Sequence, residues 1–356
     1  MLISSIAALV LAVTAAQDTA VQDTAAQDTA AQDHAGAATG AAEQSAPQLQ
    51  LQPAPVQDED VVRLSAEQYA AYHSVVADLR DAPIGSGDDL DMAMDRLTAF
   101  YGEDRLVRAW IAYASIIAAH HPDYLDQVRE LADYYGADVA MQGLMNDPAF
   151  ATSFSAAPEA QESVVDAVAR DNAEIRDVSE RYRSAAYSLQ SERWANRVYR
   201  DRADRLAAIT EMTGRPITVP HDLRMSLDTG LDSAVPASAL FEHLEPVNAG
   251  TPLDDTLSPQ LSLTVGEAVP DPDRTRVGRI LSVAALQSLQ DTGADTDAAI
   301  DSLLGEPRVE RCLAWVRLDL QQCVAAGHFK YEDSFCIAEH ALLDVSRCLD
   351  TTNTAE

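Results

Sequence analysis

One lysine occurs in 356 residues. Lys330 is that lysine among 25 basic residues, which stand against 57 acidic ones and leave a formal charge of −32. Nucleic acids and acidic membrane surfaces are bound by neutralising their phosphates with Lys and Arg, so the shortage of positive charge excludes both as partners. The preference for arginine over lysine points to a GC-rich bacterial genome, because lysine codons are AT-rich. Long apolar runs are missing beyond the first residues: Ala109 to Ala119 is about half the roughly 20 residues that a spanning helix needs, so no membrane span is expected once the N-terminal segment is removed.

Signature motifs are missing as well. The sequence contains no H-E-x-x-H, G-x-S-x-G, P-loop or dinucleotide fingerprint, and no catalytic residue, metal ligand set or cofactor is assigned from it. The acidic cluster Asp88, Asp89, Asp91 and Asp95 fails as a calcium loop, since counting from Asp89 puts Met94 and Phe100 where Gly and Glu are required. Two weaker polar groupings stay on the page as site candidates. His340 and Asp344 lie four residues apart beside Glu339, a spacing that lets a carboxylate orient an imidazole. His120, His121 and Asp123 cluster around Pro122, where a helix end favours a charged imidazole.

What is present begins with an uncharged apolar run, Met1 to Ala16, ending in small residues as a secretory signal peptide does. Residues 17–60 repeat Gln-Asp-Thr-Ala and continue through Ala, Gln and Pro without aromatic side chains. Such a segment buries too little apolar area to offset its ordering entropy, so it reads as a disordered acidic spacer spanning roughly 35–40 Å.

Helical periodicity starts at Ser65, where Ser65-Ala66-Glu67-Gln68 resembles a capping box and Tyr69, Tyr72, Val76 and Leu79 follow on one face. Further helices are expected over 90–101, 106–119, 122–136 and 139–145. Between Pro158 and Gly214 no Gly or Pro intervenes, and Ile175, Val178, Tyr182, Ala185 and Leu189 step as a coiled-coil seam, with a kink expected at 190–194. These elements make an α-helical domain, 61–214, of about five helices. The seam within 159–213 also offers a face to a second copy of the chain. Residues 215–272 hold eight of the sixteen prolines and form a linker or an ordered strap, with strand-like alternation at 260–266. Helical periodicity returns in a C-terminal domain, 273–349, followed by a short disordered tail, 350–356. The fold class is therefore all-α.

The four cysteines, Cys312, Cys323, Cys336 and Cys348, are separated by eleven, thirteen and twelve residues. The outer intervals are each about three helical turns, and the middle one contains the Ala326-Gly327-His328-Phe329 connection. Folding back at Gly327 brings Cys323 opposite Cys336 and Cys312 opposite Cys348, whereas any other pairing must cross about 16 Å of helix. Export supplies the oxidising compartment that such bridges require. The hairpin's core is expected from Leu313, Val316, Leu320, Phe335, Ile337, Leu342 and Val345, with Trp315 facing the rest of the protein.

Three functional classes fit these observations. The first is a periplasmic or cell-envelope interaction protein whose hairpin is presented to a protein partner. The second is a cell-wall glycan hydrolase working through two carboxylates in a groove of the helical domain. The third is a binder of a divalent cation or a small ligand.

Overall fold

The computed structural model describes residues 60–102, 104–199, 202–213, 217–221, 223–225, 231–241, 273–290 and 296–352. The expected signal peptide, the spacer up to residue 59, the strand-like segment 260–266 and the tail beyond Thr352 lie outside the described residues.

The chain is all-α. Helices α1 (Val61–Asp81), α2 (Gly87–Thr98), α3 (Arg105–Ala119), α4 (Pro122–Tyr135), α5 (Ala137–Asn146) and the single turn α6 (Pro148–Ala151) lead into α7 (Ala157–Leu189), which is about 50 Å long. Residues 190–199 are not helical, so the chain breaks where a kink is expected at 190–194, before α8 (Arg202–Thr213). Then come α9 (Arg274–Gln290), α10 (Asp297–Leu303), α11 (Pro307–Ala326) and a returning helix, α12, which is α-helical over Glu332–Cys336, π-helical over Ile337–Leu343 and α-helical again over Asp344–Cys348.

Local chemistry sets many of these ends. Ser86 and Asp89 form a reciprocal capping box at the start of α2. Pro122 opens α4, and Gly136 closes it with a positive φ of 96° that a side-chain-bearing residue rarely adopts. The start expected at Ser65 is corrected to Val61. The Asp60 carboxylate accepts from the Val62 N–H at 2.9 Å and starts the helix a turn earlier, so that Val62 joins the core.

Helix α3 is apolar nearly all round, and α9 is buried nearly all round between Val277 and Leu289, as core helices are. Helix α3 packs against α1, α7 and α9, and α9 in turn against α4, α5 and α6. At Gly278 the backbone of α9 approaches α6 so closely that a Cβ would lie 2.0 Å from the Pro148 carbonyl oxygen. The described residues of the two segments, 61–214 and 273–349, share one hydrophobic core. The physical reason is α9 itself, whose buried circumference needs cover that the cysteine hairpin cannot supply. Part of the proline-rich region is an ordered strap over α3 and α7. Asp171 accepts from the Ser238 N–H at 2.8 Å, and the Tyr113 hydroxyl donates to the Val235 carbonyl at 2.9 Å.

Helices α11 and α12 form the expected hairpin with the nested pairing, Cys312 to Cys348 and Cys323 to Cys336, at Cα separations of 5.6 and 5.7 Å. The two bridges enclose eleven residue steps on α11 and twelve on α12. As regular helices these rise about 16.5 and 18 Å, a mismatch that the widened π turns absorb by taking in one residue without advancing the helix. Side chains meet the carbonyls of this segment: the Ser179 hydroxyl donates to Ala338 O at 2.9 Å and the Tyr101 hydroxyl donates to Ala341 O. Deleting Leu343 should restore a regular α-helix with both bridges intact. Deleting Gln321 from α11 should widen the mismatch and lower the yield of correctly paired chain. Peptide mapping without reduction reads both outcomes, and mispairing in the Leu343 deletion would contradict the account.

Candidate functional site

The inward stripe of α11 is Val309, Val316, Leu320 and Val324, all buried. Its opposite face carries Ala314, Trp315, Leu318, Gln322 and Ala326 to solvent, with Trp315 61% and Leu318 39% exposed. Two expectations are corrected here. Trp315 faces away from the body, because it sits about 100° around the helix from Val316 and farther from Leu320. Phe335 is 41% exposed, because the buried face of α12 is taken by Ser334, Cys336 and Ile337.

At the tip of the hairpin the exposed stripe runs into a hollow of about 420 Å³ against the end of α7. Ala186, Tyr187, Ala326, His328, Tyr331 and Phe335 line it together with the inner disulfide, and Tyr187 is 66% exposed. The lining is mainly apolar, with Glu332 as its carboxylate. That carboxylate is engaged, accepting from the backbone N–H groups of His328 and Phe329 and so holding the turn.

An ionic cluster fixes the tip to the body. Lys330 is buried, and its ammonium contacts Asp91 and reaches Asp333 at 2.9 Å. Asp333 is 2% exposed and also pairs with Arg205, whose guanidinium stacks 3.5 Å above the Tyr199 ring. The Tyr199 hydroxyl donates to the same carboxylate. Burial, then the Asp333 charge, push the Tyr199 phenol well above its ordinary range. Backbone pairing reinforces the joint: Tyr199 N–H donates to His328 O and Tyr331 N–H to Ala195 O, each at 3.1 Å, around the antiparallel bridge of Val198 with Phe329.

The polar candidates fall elsewhere. His340 Nδ1 meets Asp344 Oδ2 at 2.9 Å, so that pair forms, and Arg347 holds the other carboxylate oxygen at 2.8 Å. It lines neither the tip hollow nor the cleft between α2 and α8. His120 is turned away from its neighbours, with its ring nitrogens 2.8 and 3.1 Å from the carbonyls of Ile116 and Asp232. His121 and Asp123 are not drawn together with it, and among the described residues no three His, Cys, Asp or Glu side chains group as metal ligands. The acidic hollow of the helical body, lined by Asp123, Asp126, Glu130 and Glu159, is open and superficial, with Asp126 paired to Arg129 at 2.9 Å. The seam of α7 is occupied inside the chain by α1, α3 and α12.

Sequence reasoning missed a buried polar group between α1 and α7. His73, Tyr69, Asp171 and Asn172 are all buried, and His73 lies 3.7 Å from Glu174. Burial, and after it the Asp171 charge, push the Tyr69 phenol well above its usual value. The available signal was the Asp171-Asn172 pair within the apolar steps of α7 between Val168 and Ile175.

Replacing Asp333 by Ala leaves Lys330 and Arg205 with a deficit of buried negative charge and should cost about 3–5 kcal/mol in denaturant unfolding. The apolar triple replacement Lys330→Met, Asp333→Leu and Arg205→Met should cost less than that single change. Burial raises the Asp344 carboxyl, but the hydrogen bonds and charges of His340 and Arg347 outweigh it and hold the group below its usual value. Its stabilising contribution is thus present above the unfolded carboxyl value of about 3.9 and is lost as pH falls through the lower folded value. His340→Ala should move acid unfolding to higher pH when followed by circular dichroism, and an unchanged midpoint would exclude the coupling. No known family, curated protein or solved structure matches the chain.

Proposed function

We propose that the protein is an exported, non-catalytic interaction module of the bacterial cell envelope, in which the outer face of α11 and the tip hollow receive a protein partner. The observation that carries this reading is an apolar strip on the outside of a doubly bridged hairpin. Trp315, Leu318, Phe335 and Tyr187 stay exposed although the buried stripe of α11 is filled. Large aromatic side chains held in the open are the anchors of protein interfaces, and rigidity lowers the ordering cost of binding.

Export is supported by the apolar N-terminal run and by two disulfides, which persist in oxidising compartments. No described helix is long and apolar enough to cross a membrane. A photo-crosslinking amino acid at Phe335 should capture protein in living cells, whereas the same probe at exposed Asp166 on α7 should not. Equal capture at the two positions, or none at Phe335, would sink this reading.

A further inference from the structure

We propose that the partner seated on the outer face of α11 is a second copy of this chain, in a two-fold contact that lays α11 antiparallel on α11. The proposal rests on the docking face described above and names its occupant.

Geometry provides the first argument. Trp315 and Leu318 are three residues apart on the exposed face. A two-fold axis midway between them puts each Trp315 over Leu318 of the other copy, so both anchors are covered by a single self-complementary contact. Ala314 adjoins them and lets the helices approach.

Charge provides the second argument. A chain of formal charge −32 repels its own copy wherever acid dominates the surface. Helix α11 departs from that balance, with Arg308, Arg311 and Arg317 against Glu310 and Asp319. Arg308 already reaches Asp273 at 3.5 Å, while Arg311 and Asp319 have no ion-pair partner among the described residues. In the antiparallel arrangement Arg311 lies level with Gln322 and within one turn of Asp319 of the second copy. The symmetry forms that Arg–Asp pair twice, framing the aromatic centre with opposite charges. The long seam of α7, the other place for a homotypic contact, is filled within the chain.

Size sets the strength. Helix α11 has 20 residues, or about 30 Å, and one helix per copy buries on the order of 1,000 Å², at the low end for specific complexes. The dimer should therefore be weak and reversible, at the micromolar end of the range for protein contacts, roughly 1–100 µM.

Sedimentation equilibrium of the oxidised, signal-free chain between about 1 and 200 µM tests this range. The expected result is a monomer–dimer equilibrium that Leu318→Arg weakens at least about tenfold, with circular dichroism of the dilute variant checking that the monomer keeps its fold. Arg311→Asp and Asp319→Arg should each weaken it, and the double exchange should restore it, since the two positions lie about 12 Å apart along one helix and can pair only across copies. A chain that stays monomeric throughout, or a dimer indifferent to Leu318→Arg, overturns the proposal. In cells, a photo-crosslinker at position 318 should give an adduct of twice the chain mass. An adduct with a different protein alone overturns the homotypic contact and leaves the docking face standing, whereas no adduct at 318 or at 335 removes both.

Discussion

Two covalent bridges hold α11 and α12 together at two heights, and between those heights one helix has a residue more than the other. Rods of unequal residue count share two crosslinks without tilting when one changes its rise per residue, and α12 does so as a π-helix. The widened segment is then tied to the rest of the molecule. Ser179 and Tyr101 donate to its carbonyls, Arg183 reaches Glu339 at 2.6 Å, and the Ser334 hydroxyl donates to Tyr182 O at 2.7 Å. The C-terminal half of α7 is registered to α12 through these bonds, and α7 carries one wall of the tip hollow. The exposed apolar face of α11 is thus held in place from the sulfur bridges outward.

Much of this was legible before any coordinates. Cysteine intervals near three helical turns, an intervening Gly, and the maximum span of a disulfide leave one economical pairing. Pro122 and Gly136 announce helix ends through chemistry that does not depend on the rest of the fold, whereas the Ser86–Asp89 capping box, which starts α2 at Gly87 instead of residue 90, shows only in the structure. Ser65 misled because capping signals are short and an equally good acceptor, Asp60, stood five residues upstream beside an apolar Val62 that the core required. The place of α9 was illegible for another reason. Periodicity shows which residues of a helix seek cover, but not which elements supply it.

The exposed apolar face of α11 illustrates the same limit from the other side. Helical spacing puts Trp315 apart from Val316 and Leu320, yet an aromatic residue on a short hairpin is most simply assigned to the core. Only the packed structure shows that the inward stripe is complete without it. The polar group around His73 and Asp171 was hidden because single polar residues within an apolar seam read as interruptions. In the fold they lie beneath the strap at 231–241, where Asp171 accepts from its backbone.

The lone lysine has a consequence for how the molecule meets chemical reagents. The Lys330 stem passes Gly87, where a Cβ would stand 3.2 Å from its Cε, and its ammonium is enclosed by two carboxylates. A thin stem with a compact charge suits that passage better than a planar guanidinium. Apart from the terminal amine, the native chain therefore offers acylating reagents and lysine-directed proteases no readily accessible amine. Modification of Lys330 would report that the joint between the hairpin tip and the body has opened, a built-in sensor of local unfolding at the tip of the hairpin.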